Sequence, residues 1–82
     1  MIAIVLPDAN WEGVEPGTEA LLDRWLVAEG AQVSAGQAIA RVVLVKATLE
    51  VEAPADGVIA RIAVAAEQTF KRGTVLAELR ER

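Results

Sequence analysis

The chain has 82 residues, 54% of them apolar and 24% charged, with a net charge of −4. One small domain, residues 1–82, is all this length holds, and the acidic balance lacks the clustered cations that nucleic acid requires. Cysteine and histidine are both absent. That excludes disulfides, zinc–thiolate sites and a thiol nucleophile, and it removes the commonest general base and metal ligand. No metal site is expected, and any chemistry must come from carboxylates, amines, hydroxyls or a group attached to the chain.

IAIVL (2–6) is a strand-forming run that ends at Pro7. PDANWEGVEPG (7–17) is a loop, rich in proline and glycine and carrying Asp8, Glu12 and Glu15 around Trp11. An aromatic among acids, with Glu12 beside it, is expected to be exposed for partner contact or to cover the edge of the fold. TEALLDRWLVAEG (18–30) is ambiguous: Leu21, Leu22, Trp25 and Leu26 follow a helical stripe that Thr18 could cap. Trp25 is expected in the core. No run approaches the roughly 20 apolar residues of a membrane span, and the N-terminus lacks the basic leader of a signal peptide. A cytoplasmic protein without membrane attachment is the expectation.

The second half bears on the ambiguity. Shifted by 37 residues, ALLDRWLVAEGAQVSAGQAIARV (20–42) overlays GVIARIAVAAEQTFKRGTVLAEL (57–79). Arg24 meets Arg61, Val27 meets Val64, Ala28 meets Ala65, Gly36 meets Gly73 and Ala40 meets Ala77. Val33, Ile39 and Val42 fall on Phe70, Leu76 and Leu79. In the mate of the ambiguous segment, Val58, Ala60, Ile62 and Val64 alternate with the period of a strand. If the halves share a shape, both segments are strands. Two similar halves of short strands predict an all-β sandwich or flattened barrel. APADG (53–57) is a turn in which Gly57 is expected to supply a positive φ.

ARVVLVKATLEVEA (40–53) places Lys46 between two β-branched runs, and the chain's only other lysine is Lys71. A tight primed hairpin turn favours glycine or asparagine. With neither present, a type I turn is expected, its tip projecting Lys46 from the body. A lysine at an exposed strand end is ordinary in itself.

The spacing around it is less ordinary. Gly36 lies ten residues before Lys46, Pro54 eight after and Gly57 eleven after. With Ala47, Glu50, Val51 and Ala53 these positions read K-A-x-x-E-V-x-A-P-x-x-G, preceded by a PD start, an EGV-x-x-GT loop and W-x-V-x-x-G-x-x-V-x-x-G. Over nearly its whole length the chain thus resembles the lipoyl domain of 2-oxo acid dehydrogenase complexes.

That resemblance implies a flattened barrel of two four-stranded antiparallel sheets with quasi-two-fold symmetry. It implies lipoate in amide linkage on Lys46, carried as a swinging arm that moves acyl groups and reducing equivalents between subunits. The chain would be a cofactor carrier and not itself an enzyme. Its partners would be a lipoate-attaching ligase or transferase and the decarboxylase, acyltransferase and dihydrolipoamide dehydrogenase components of a multienzyme complex. Leu44, Val45 and Ala47 flank the lysine as the recognition hairpin, with Trp11 and Glu12 in the neighbouring loop; Gly36, Pro54, Gly57 and Gly73 are structural. The sequence departs from the family in one respect. Lipoyl domains usually carry an acid before the lysine, and here Val43, Leu44 and Val45 lead up to it. The glycine-cleavage H protein also has V-K-A at this point but is longer. Biotinyl domains share the fold and favour M-K-M, so biotin is the weaker alternative, since Met1 is the only methionine. The apolar VLV also admits an unmodified interaction module that kept the fold. At least one of these three residues is expected to be exposed at the tip.

Overall fold

The 37-residue repeat is a repeat of structure. The computed structural model describes residues 1–81. Its eight strands are β1 (Ile2–Ile4), β2 (Ala20–Trp25), β3 (Gln32–Val33), β4 (Ala38–Leu44), β5 (Ala47–Glu52), β6 (Gly57–Ile62), β7 (Thr69–Phe70) and β8 (Ala77–Glu81), with one short 3-10 helix at Asp8–Trp11. β2 and β6 coincide after a shift of 37 residues, as do β3 and β7. The segment with a helical stripe is therefore a strand over Ala20–Trp25, with Leu21, Leu22 and Trp25 opposite Val43, Val42 and Ala40 of β4. Each half also has one register shift in the same place, between Leu22 and Arg24 in one and Ile59 and Arg61 in the other.

The strands form two four-stranded antiparallel sheets, ordered β1-β8-β6-β3 and β5-β4-β2-β7. Adding four to each strand number of the first, counted cyclically over the eight, gives the second, which is the expected quasi-two-fold symmetry. The sheets do not close on each other through strand pairing, so the flattened arrangement is a sandwich. Main-chain bonds repeat as well. Gly30 N donates to Ile59 O and Glu67 N to Leu22 O, both at 2.7 Å, and Leu26 N to Ile39 O and Ala63 N to Leu76 O at 2.9 and 2.8 Å.

The core lies between the sheets and is built in matched pairs. Leu22 and Ile59, Ile39 and Leu76, and Ala40 and Ala77 have no exposed surface; Val42 with Leu79 and Val33 with Phe70 complete the set. Each large aliphatic side chain buried in this way contributes about 1.5–3 kcal/mol. The alternation read in β6 falls on the other face: Gly57 and Ile59 are buried, while Val58, Ala60 and Ile62 are half-buried. The register shift after Ile59 inserts a residue and brings Val64 back to the core. No charged or polar residue is buried among those described, and no helix there is long and apolar enough to cross a membrane.

Two glycine roles separate. Gly36 and Gly73 take φ of 83° and 85° at equivalent turns, a conformation that disfavours side chains. Gly57 differs from the expectation. It has no positive φ and lies buried within β6, where a Cβ would collide with the main-chain carbonyl of Arg80 in β8. Its requirement is closeness of two strands, not backbone freedom. Pro54 is exposed and opens the turn leading to Gly57. Within that turn Asp56 Oδ1 accepts a 2.8 Å bond from Ala35 N, tying it to the Gly36 turn.

Candidate functional site: the lysine hairpin and its acid loop

β4 and β5 pair without interruption from Arg41↔Glu50 to Leu44↔Ala47, which leaves only Val45 and Lys46 in the connecting turn. Val45 has φ 59°, and Lys46 is not among the residues of positive φ. A positive φ confined to the first central residue is the pattern of a type II′ turn. The expected type I turn is thus corrected. A two-residue loop must match the right-handed twist of its strands, and primed turns do so even where valine occupies the position glycine prefers.

The turn separates the three apolar residues before the lysine. Leu44 is buried, Val43 half-buried, and Val45 is 65% exposed, the largest exposure of any large apolar residue after Met1 among those described. The expectation of at least one exposed residue holds for Val45. For Leu44 an exposed recognition role is corrected: it belongs to the core, because strand alternation turns it inward. Lys46 and Ala47 are exposed, and Lys46 makes no ion pair or side-chain hydrogen bond with the described residues.

Beside this tip lies the loop from Pro7 to Glu19. Trp11, expected either as an exposed contact or as a cover for the edge of the fold, is 3% exposed, which rules out the first. Its ring meets Phe70 of β7 edge-on, with centroids 6.2 Å apart and planes at 81°. The indole is therefore a pin that fastens the loop to the sandwich, and its large apolar surface explains why it turns inward away from the acids. Trp25 is only half-buried, and its Nε1 donates to Val64 O at 2.8 Å. Glu12 remains exposed. Asp8 pairs with Arg72 at 3.1 Å, an exposed ion pair that adds a weak second tie.

The loop and the hairpin enclose two grooves. One, of about 530 Å³, is lined by Ala9, Asn10, Val14, Leu44, Val45, Lys46, Ala47 and Leu49. The other, of about 570 Å³, has Val14, Leu21, Val43 and Val45 as its apolar wall and Glu15 and Glu19 among its polar lining. Val14 and Val45 line both. Sequence reasoning singled out Val45 but passed over Val14. An apolar residue set among the acids of EGVEPG was the available signal. Among the described residues no acidic group of three could hold a metal ion.

The arrangement presents one primary amine, unpaired and at the end of a rigid two-stranded ladder, with apolar surface at its base. An amide on such an amine would leave the sandwich undisturbed, and an aliphatic arm would find Val14, Val45 and Leu49 within the groove it shares with Lys46.

Comparison with known proteins agrees with this geometry. Residues 13–79 match the family model of biotin and lipoyl attachment domains, described as "Biotin-requiring enzyme". The dihydrolipoyllysine-residue acetyltransferase component of pyruvate dehydrogenase complex from Rickettsia felis is 47% identical over 47 residues. That from Rhizobium meliloti is 48% identical over 48 residues. Those stretches cover 57% and 58% of this chain and 11% of each relative, so the chain matches a small part of much longer proteins. The solution structure of the lipoyl domain of the 2-oxoglutarate dehydrogenase complex from Azotobacter vinelandii superposes with a TM-score of 0.80. It is 30% identical, with 99% of this chain and 98% of that one covered. The chain belongs to the biotinyl- and lipoyl-attachment domain family and has the fold of its lipoyl domains.

Proposed function

We propose that this domain carries lipoate in amide linkage on Nζ of Lys46 and serves as the swinging arm of a 2-oxo acid dehydrogenase-like complex. The observation that carries the reading is the position of Lys46: the second residue of a two-residue turn, exposed, free of any ion pair with the described residues, and at the family's attachment spacing. Attachment is an acyl transfer. The Lys46 amine, in its unprotonated form, attacks the carbonyl of an activated lipoyl donor, the donor's leaving group departs and one proton is released. The attached dithiolane supplies the acyl-carrying and redox chemistry that a chain without cysteine or histidine lacks.

The protein's own part is mechanical. The β4–β5 ladder fixes the base of the arm, the Trp11 pin fixes the loop beside it, and exposure of the turn leaves the arm free to reach successive active sites. Tethering raises its effective concentration at each of them. The domain is thus a carrier, acting with a decarboxylase, an acyltransferase and a dihydrolipoamide dehydrogenase after a ligase or transferase has loaded it.

Intact-mass measurement after expression with lipoate tests the reading. One added lipoyl group is expected, and none on Lys46→Arg, which keeps the charge and removes the acylatable amine. An added biotin would instead assign the biotinyl branch. An unmodified chain would leave an interaction module that retains the fold, a reading that the exposed valine beside the lysine favours.

A further inference from the structure

We propose that the enzyme that acylates Lys46 reads Val45 directly, through an apolar surface bordered by cations that face Glu15 and Glu19. This rests on the reading of Lys46 as the attachment site. Two independent features of Val45 lead to it. The first is that valine serves neither the backbone nor the core at this position. Its φ of 59° lies in the left-handed region, where a β-branched residue is strained and glycine or asparagine is at ease. Its side chain is 65% exposed, so little burial offsets the strain. Valine is thus unfavourable on both counts, and its exposed surface is the property left to account for it.

The second is placement. Val45 precedes the reactive lysine within a two-residue turn, which places it beside the residue that the attaching active site must reach. The exposed valine is continuous with a groove of about 570 Å³, where Val14, Leu21 and Val43 join it and Glu15 and Glu19 add negative charge. No lysine or arginine lines that groove. The complementary surface is an aliphatic contact flanked by lysine or arginine, and electrostatic complementarity of this kind acts mainly on encounter.

The test is a time course of modification by intact mass. It uses the purified domain, the lipoate-attaching enzyme from the same source and its activated lipoyl donor. Val45→Thr keeps the shape and branching of valine and adds one hydroxyl. It is expected to lower kcat/KM on the order of ten-fold by placing an unpaired polar group in an apolar contact. Val45→Asp should lower it further, and Val45→Gly, which relieves the backbone but deletes the side chain, should lower it too. Val75→Thr alters an exposed valine outside the groove and should leave the rate unchanged. The Glu15→Gln, Glu19→Gln double variant should raise KM without changing kcat.

Wild-type rates for Val45→Thr and Val45→Asp would overturn the apolar contact, and so would a Val45→Gly variant modified as fast as wild type. A slow Val45→Gly beside a fast Val45→Thr would show that shape and not polarity is read, again overturning it. An unchanged KM in the double glutamine variant would remove the basic border. A wild-type domain that is never modified defeats the attachment reading itself, whereas a modified wild type with indifferent variants defeats only the role of Val45.

Discussion

Gly30 and Glu67 hold the same left-handed backbone, at φ 86° and 71°, and each donates its N–H across a sheet to an equivalent carbonyl, Ile59 and Leu22. One half of the repeat has placed at this turn the residue suited to it, and the other half has not. Glu67→Gly is therefore expected to raise stability by about 1 kcal/mol, the strain relieved outweighing the entropy that glycine adds to the unfolded chain. In a domain of this size that is a melting-temperature rise of about 4–8 °C. The reverse change, Gly30→Ala, should lower stability by a similar amount. A thermal-unfolding midpoint for Glu67→Gly at or below wild type would contradict the strain argument.

Gly57 is a separate case, because its need is steric. Gly57→Ala should already destabilise, and Gly57→Val should cost more than about 2 kcal/mol, since the first atom beyond Cα meets the Arg80 carbonyl and two paired strands must move apart. Denaturant unfolding with unchanged m-value is the measurement. If Gly57→Ala were as stable as wild type, the close approach of β6 and β8 would be less tight than described.

The two tryptophans should lose different things when the indole N–H is removed. Trp11 Nε1 is buried without a partner, whereas Trp25 Nε1 is bonded to Val64 O. Trp11→Phe removes an unsatisfied donor and should change stability by no more than about 1.5 kcal/mol despite the lost volume. Trp11→Ala should cost about 3–5 kcal/mol and release the acid loop. Trp25→Phe strands a carbonyl and should cost about 1–2 kcal/mol. Chemical denaturation of the three variants compares them directly. A Trp11→Ala domain as stable as wild type would deny the pinning role.

Peptide mapping of the loaded protein should find the acyl group on Lys46 alone. Lys71 lies in the Lys71–Thr74 turn, where Thr74 N donates to Lys71 O at 3.1 Å and Lys71 N reaches Thr74 Oγ1 at 3.3 Å. It does not stand in a two-residue hairpin. Modification of Lys71, or of the Lys46→Arg variant, would show that the turn is not what selects the lysine.

The sequence by itself determined the repeat, the all-β class, the turns that end at Gly36 and Gly73 and the placement of Lys46 between two strands. These are matters of period and spacing, and both are properties of the chain read along its length. The 37-residue shift also pointed to a strand within residues 18–30 against a helical stripe of leucines, on the condition that the two halves share a shape, and the structure meets that condition at Ala20–Trp25. Tertiary structure decided the rest. Whether Trp11 or Trp25 is buried depends on what stands opposite: Phe70 offers the loop tryptophan an aromatic face, and the fold leaves Trp25 at the margin with a carbonyl within reach of its nitrogen. Gly57 looked like a turn residue because the chain turns just before it; only the pairing of β6 with β8 reveals the carbonyl that excludes a side chain. The left-handed Val45 was hidden for a similar reason. Local preference would not put valine there, but a ladder paired as far as Leu44 and Ala47 leaves two residues to close it, and the twist of the strands dictates the conformation they must take.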